Sequence, residues 1–356
     1  MELKNEKKLF VGMDIHKRSW RVHFKTDISE HKGMTMPPNS HKLWKYVEEN
    51  FQGFEVSLTY EAGCCGFSAA REFLNMGWKV MVVNPADIPR INKDQYQKTD
   101  TIDAHKLSKL LKENQLKPIH IPSEEEDSMK VLLRHRDQVV KNLRRVKQHI
   151  KSVLAYVGIQ IPEEYDNANW SRNFIQWLKT VPTGHNLIRK TLDSKILLLE
   201  SVYKEYLEIA NTMRKYCRTN HKEDYYLLKS IPGIGGYLAA AILSDIGDLR
   251  RFSNESQLAS YIGIIPGVYN SGGTENKYFI TPRCRSLVRS YLIEASWVAL
   301  RHDPELQAYY RKHIGKNPKS IIVKIAHKLV RRILSVIKNK QPYQVNYHVA
   351  KSETKK

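Results

Sequence analysis

The sequence predicts an α/β domain over residues 1–122, a long helical region over 123–222 and a mostly α domain over 223–345, followed by a flexible polar tail at 346–356. Three observations predict it. Short apolar or alternating runs interleave with helical patterns in the first part. Two apolar seams at heptad spacing fill the middle. A helix, a Pro-Gly-Ile-Gly turn and a small-residue helix open the last part.

Leu9 to Ile15 is a short apolar strand that carries Asp14. Arg18 to Phe24 alternates and can pair back on it as a hairpin. Phe54 to Glu61 alternates too and ends on Glu61, ahead of Ala62-Gly63. Gly66 to Met76 reads as a helix, and Trp78 to Asn84 as a buried strand stopped by Pro85. Lys98 to Leu111 opens a helix. Thr99 or Asp100 can cap it, and Ile102, Leu107, Leu110 and Leu111 form its apolar side.

Asp100 and Asp103 are three apart, so a helix projects them from one face. Two carboxylates held there repel unless a cation lies between them, and magnesium prefers such oxygen ligands. An acidic first turn favoured by the helix dipole has the same sequence. Asp14 and Glu61 sit at strand ends, where a carboxylate needs water or a metal. Together the four acids can hold two magnesium ions, the arrangement that serves phosphoryl transfer.

The net charge of +21 and the pI of about 9.6 point to a polyanion, nucleic acid first of all. No apolar run reaches the ~20 residues that span a bilayer, and residues 1–15 lack the pattern of a signal peptide. Cys64, Cys65, Cys217 and Cys284 show no zinc-ligand spacing, so reduced thiols in a cytoplasm are expected.

Ser123-Glu-Glu-Glu-Asp127 begins a long helix with acids at the positive end of its dipole. Leu132, Val139, Val146 and Val153, with Leu143, Ile150 and Val157, make a heptad seam. A second seam runs Leu192, Ile196, Leu199, Tyr203, Tyr206, Ala210, Met213. A helical hairpin and a coiled coil between chains both satisfy these periods. Pro162, Trp170, Trp177, Pro182 and Gly184 mark a structured turn region between them. The first long helix carries Lys130, Arg134, Arg136, Lys141, Arg144, Arg145, Lys147 and Lys151. With few acids to pair them, these read as a face for phosphates, or as a solvated face.

In the last part, Gly233, Gly235 and Gly236 let the backbone approach a phosphate at a helix start, as in a helix-hairpin-helix. A closely packed helical corner reads the same. Ser271 stands beside two glycines on an expected exposed loop, open to a phosphodiester, though Asn-Ser-Gly-Gly is also an ordinary turn. Lys316 to Lys340 closes the domain as a basic helix. Its apolar side is Ile321, Ile322, Ile325, Leu329, Ile333 and Val336, with Lys319, Lys324, Lys328, Arg331 and Arg332 adding charge.

Gly12-Met-Asp-Ile-His-Lys17, Tyr60-Glu-Ala-Gly63 and Lys98-Thr-Asp-Thr-Ile-Asp-Ala104, in that order and spacing, resemble the three acidic blocks of the DEDD transposases of bacterial insertion sequences, the group numbered one-ten. Residues 228–300 resemble the C-terminal transposase domain of the same group: the Pro-Gly-Ile-Gly turn, an Ile-Gly-Asp block, a Tyr-x-Gly-x-x-Pro block, a Ser-Gly pair and a leucine/arginine helix. The resemblance implies a RuvC-like, RNase H-like N-terminal sheet that binds Mg2+, or Mn2+ in its place, through Asp14, Glu61, Asp100 and Asp103. It implies Ser271 as the nucleophile that forms a phosphoserine link with DNA. It also implies donor and target DNA, a guide RNA from the element's non-coding end, a dimer or tetramer with composite sites, and a place at the bacterial nucleoid. One block departs. Pro282-Arg-Cys-Arg285 stands where the group often has Lys-x-Gly-Asn, which leaves the shape of the loop after Ser271 open. A Holliday-junction-type nuclease using water, or a nucleic-acid-binding protein without catalysis, are the other readings of the residues.

Overall fold

The structure is a computed structural model that describes residues 7–89, 100–167, 169–271 and 274–345. The chain forms two compact units, Met1–Glu124 and Glu125–Lys356.

The first unit is built on β1 (Lys8–Ile15), β2 (Trp20–Thr26), β3 (Glu30–Met36), α1 (Ser40–Asn50), β4 (Glu55–Glu61), α2 (Ser68–Asn75), β5 (Lys79–Val83) and α3 (Asp100–Lys112). The sheet is mixed, in the order β3-β2-β1-β4-β5. β2 is antiparallel to both β1 and β3, while β1, β4 and β5 are parallel. Alternation decides the faces. Leu9, Val11, Met13, Leu58 and Tyr60 pack against Leu43 and Val47 of α1 and Ala70 and Phe73 of α2. On the opposite face Leu107, Leu110 and Leu111 of α3 close over Val83, Phe10 and Met81. Gly12 lies directly beneath α3: a Cβ there would stand 2.2 Å from the Ala104 carbonyl oxygen and 2.4 Å from the Ser108 nitrogen.

β1, β2, β4, β5 and α3 occupy the stretches that the apolar runs predicted. β3 and α1 were not foreseen. β3 is the polar edge strand Glu-His-Lys-Gly-Met-Thr-Met, without the alternation of a half-buried strand. α1 follows Pro37-Pro38 and is capped by the Asn39 side chain, which accepts from the Lys42 amide at 2.9 Å.

The second unit begins with α4 (Glu124–Tyr156, its first residue in the first unit), α5 (Arg172–Thr180) and α6 (Asn186–Asn220). α4 and α6 are antiparallel neighbours. The Tyr216 hydroxyl near the end of α6 donates to Glu125 Oε1 at 2.8 Å, and His135 Nε2 lies 3.2 Å from Glu205 Oε1. Leu143, Val146, Ile150 and Leu154 of α4 pack with Phe174 and Leu178 of α5 and with Leu192, Ile196 and Leu199 of α6. The buried seam departs from the strict heptads at their ends. Leu133 and Leu154 are buried where Leu132 and Val153 were expected, and Tyr203 is 48 % exposed. A straight helix of 3.6 residues per turn drifts about 20° per heptad.

α7 (Lys222–Lys229), α8 (Gly236–Ile246), α9 (Glu255–Ile262), β6 (Pro266–Ser271), β7 (Thr274–Ile280), α10 (Ser286–His302), α11 (Pro304–Lys312) and α12 (Pro318–Asn339) complete the unit. Every residue of α8 from Leu238 to Ile246 is buried, in a core shared with α6, α10 and α12. The six apolar positions predicted on the last helix are all buried in α12. Arg332 is buried as well, contrary to its expected role as an exposed charge. It donates to Asp303 Oδ2 at 2.7 Å and Glu305 Oε2 at 3.0 Å, because an enclosed guanidinium needs a carboxylate partner.

Candidate functional site

In the first unit the sheet places Asp14 and Glu61 side by side. β1 and β4 run parallel with Gly12 opposite Thr59 and Met13 opposite Tyr60, so Asp14 and Glu61 are the next pair along. Both share the face of Gly12, the face that α3 covers. The direction of α3 follows from its ends. Lys112 Nζ donates to the carbonyls of Thr26 and Asp27, beside the start of β1, at 3.1 and 2.7 Å. Ala104 and Ser108 lie over Gly12. The first turn of α3, with Asp100 and Asp103, is therefore at the carboxyl ends of β1 and β4. Asp14 is half-buried and 3.2 Å from His16 Nε2; Glu61 and Asp103 are half-buried. The Asp100 side chain and all of Thr99, the expected cap, lie outside the described residues.

Among the described residues, the group of His, Cys, Asp or Glu side chains whose ligand atoms all lie within 4.8 Å of one another is a different one: His23, Glu30 and His105. No local pattern points to it, since the three come from β2, β3 and α3.

In the second unit Ser271 is the last residue of β6 and pairs with Thr274. The expected loop is thus the tip of a β-hairpin. The side chain of Ser271 and all of Gly272 and Gly273 lie outside the described residues. In the Pro282-to-Arg285 departure the first two residues are exposed, while Cys284 lies against Gly263 and Arg285 Nη2 donates to the Tyr261 hydroxyl at 2.5 Å.

The basic residues of α4 divide into two groups. Arg134, Lys141, Arg144 and Arg145 are exposed, and Lys141 Nζ lies 2.8 Å from Asp137 Oδ2. Lys147 is half-buried over the Trp170 ring, and burial pulls its ammonium below the usual lysine range. Lys130 and Arg136 are buried and so do not belong to an exposed phosphate face. Arg136 sits 4.1 Å from the Tyr237 ring centroid and donates to the Tyr291 hydroxyl at 2.9 Å. Lys130 shares its surroundings with Asp245 and Arg285; burial lowers the Lys130 pKa and raises that of Asp245.

The three glycines before α8 are not equivalent. A Cβ on Gly233, whose φ is +89°, would meet the Ala295 carbonyl of α10 at 2.4 Å. One on Gly236 would meet the Tyr225 hydroxyl at 2.4 Å, and one on Gly235 would meet nothing within 4 Å. Gly233 and Gly236 thus serve packing, and Gly235 alone faces open space.

Known proteins match both halves of this arrangement. Residues 11–158 match the family described as Transposase, of the DEDD IS110 type, and residues 225–311 match the Transposase IS116/IS110/IS902 family. The chain is 26 % identical over 291 residues to the putative transposase y4qE of Sinorhizobium fredii, covering 81 % of this chain and 70 % of that one. It is 23 % identical over 353 residues to the transposase for insertion sequence element IS1533 of Leptospira borgpetersenii, covering 95 % and 98 %. It is 28 % identical over 281 residues to the pilin gene-inverting protein of Moraxella bovis, covering 76 % of each. No helix among the described residues is long and apolar enough to cross a membrane. With an acid-bearing mixed sheet in one unit and a largely helical second unit matching in the same order, the chain belongs to the IS110-type transposases, enzymes that cut and rejoin DNA.

Proposed function

We propose that this chain moves an insertion sequence by metal-dependent phosphoryl transfer in which Ser271 is the nucleophile. The observation that carries the reading is the convergence of β1, β4 and α3, which brings Asp14, Glu61 and the Asp100–Asp103 turn to one end and one face of the sheet. The strand order fits an RNase H-like, RuvC-like sheet. The donor set is all carboxylate, which suits a hard cation such as Mg2+ or Mn2+. When bound, the cation supplies charge neutralisation at the scissile phosphate.

The Ser271 oxygen attacks phosphorus. Its bond to phosphorus forms as the phosphorus–oxygen bond to one DNA end breaks, and that end leaves as a hydroxyl carrying the serine proton. A DNA hydroxyl later displaces the serine oxygen, so the phosphodiester energy is conserved without a nucleotide cofactor. The exposed Arg134, Lys141, Arg144 and Arg145 hold phosphates of donor and target DNA. The turn into α8, acting as a helix-hairpin-helix through Gly235, adds backbone N–H contacts. The α4–α6 pair serves as the coiled-coil spacer of a dimer or tetramer with composite sites. A guide RNA selects the target by base pairing, leaving the side chains to read backbone.

Excision and strand transfer in a plasmid assay test this. Ser271→Ala and Asp14→Asn each abolish both products while the proteins remain folded by circular dichroism. Continued cutting by Ser271→Ala would instead assign a water-using nuclease.

A further inference from the structure

The group His23, Glu30 and His105 lies apart from the acids used above, and its hydrogen bonds determine what it lacks. Ser108 Oγ is 2.8 Å from the His105 carbonyl oxygen and 2.9 Å from His23 Nδ1. A carbonyl can only accept, so the hydroxyl proton belongs to it. The contact to His23 is then satisfied only when Nδ1 carries the ring proton and donates. In the neutral ring that tautomer leaves His23 Nε2 as a bare lone pair, and it faces Glu30 Oε1 at 3.3 Å. The same carboxylate oxygen is 2.5 Å from His105 Nε2. A proton on His105 accounts for the second contact and leaves the first as acceptor against acceptor. A cation among the three atoms satisfies both.

We propose that His23 Nε2, Glu30 Oε1 and His105 Nε2 form a site for a divalent cation of the zinc class. Two imidazoles and one carboxylate suit Zn(II) or Co(II), whereas magnesium prefers oxygen alone. Tetrahedral coordination by nitrogen and oxygen at about 2.0–2.2 Å separates neighbouring ligand atoms by ~3.3 Å. The His23–Glu30 spacing already matches this, and His105 Nε2, now 2.5 Å from the same oxygen, draws back to reach it when the ion enters. Three protein ligands leave a fourth position for water. The outer contacts of a built metal site are present as well. Ser108 orients His23, and Lys25 Nζ holds the other carboxylate oxygen, Glu30 Oε2, at 3.3 Å. His23 is 6 % exposed, while His105 and Glu30 reach solvent and give the ion its path in. The ion ties α3 to β2 and β3. It thereby fixes the helix whose first turn carries Asp100 and Asp103, acting as a positioning metal.

The full-length protein, stripped with a chelator and titrated with Co(II), tests the site. We expect the visible bands of tetrahedral cobalt to saturate at one equivalent, and stoichiometric Zn(II) to displace them and raise the melting temperature. Glu30→Gln and His105→Ala, both at solvent-reaching positions, lose the bands while keeping the fold by circular dichroism. Ser108→Ala weakens binding ~10-fold, and Asp14→Asn binds cobalt as the parent does. Absence of the bands in the parent, their survival in both Glu30→Gln and His105→Ala, or their loss in Asp14→Asn would each overturn the assignment.

Discussion

Gly12 shows how a single missing side chain can organise a site. Its Cβ position is already taken by the backbone of α3, so the helix lies on β1 only because residue 12 has no side chain. Gly12→Ala should destabilise the first unit by about 3 kcal/mol, the cost of overpacking against backbone that cannot yield. Urea unfolding followed by Trp fluorescence measures it, and a loss of under about 1 kcal/mol would mean that α3 is not held this way. His23 makes a second residue-level prediction. Burial first, then the charge of His105 together with Lys25 and Arg21, pushes its pKa from 6.5 to about 4 against the opposing pull of Glu30. Between those values the unfolded chain binds a proton that the folded chain refuses. Stability therefore rises with pH across this window, is complete above 6.5, and is lost as the pH falls towards 4. In the metal-free protein the change should be ~3 kcal/mol. Thermal unfolding of the parent and His23→Gln at several pH values checks it, since the variant should lose this part of the slope.

At the scale of elements, the α7–turn–α8 corner separates packing from binding. Gly233→Ala should cost about 3 kcal/mol through its positive φ and its clash with α10. Gly235→Ala should leave stability within about 0.5 kcal/mol and weaken DNA binding if its amide approaches a phosphate. Chemical denaturation and a DNA-binding titration of the two variants decide this, and unchanged binding by folded Gly235→Ala would remove the corner from the DNA interface. Elements with strong local patterns were legible in the sequence: the apolar strands β1, β4 and β5, the acidic start of α4, and the six-residue apolar stripe of α12. β3 was not, because a polar edge strand owes its place to its neighbour β2 rather than to its own pattern. The heptads located the α4–α6 pair but misassigned its ends, where helical drift brings Leu133 and Leu154 into the core. Lys130, Arg136 and Arg332 resemble surface charges in sequence. The burial of Arg136 and Arg332 depends on partners 27 to 155 residues distant, such as Tyr291 and Asp303. The His23–Glu30–His105 group was hidden for the same reason.

For the whole molecule, the division into two units sets the central problem. The acids belong to the first unit and Ser271 to the second. Each unit builds its part independently: a sheet end bearing carboxylates in one, a hairpin tip bearing a serine in the other. The account requires both parts to act on one phosphate, within a chain or between chains of an oligomer. The net charge of +21 favours assembly on DNA, where phosphates offset the repulsion between basic surfaces. The most direct test is the covalent intermediate. The protein is incubated with Mg2+, the proposed guide RNA and an element-end DNA nicked to trap the attack, then denatured and digested for mass spectrometry. The account predicts a nucleotide joined to the peptide containing Ser271, absent from Ser271→Ala and from Asp14→Asn. Efficient cleavage with no adduct, or an adduct at another residue, would contradict it.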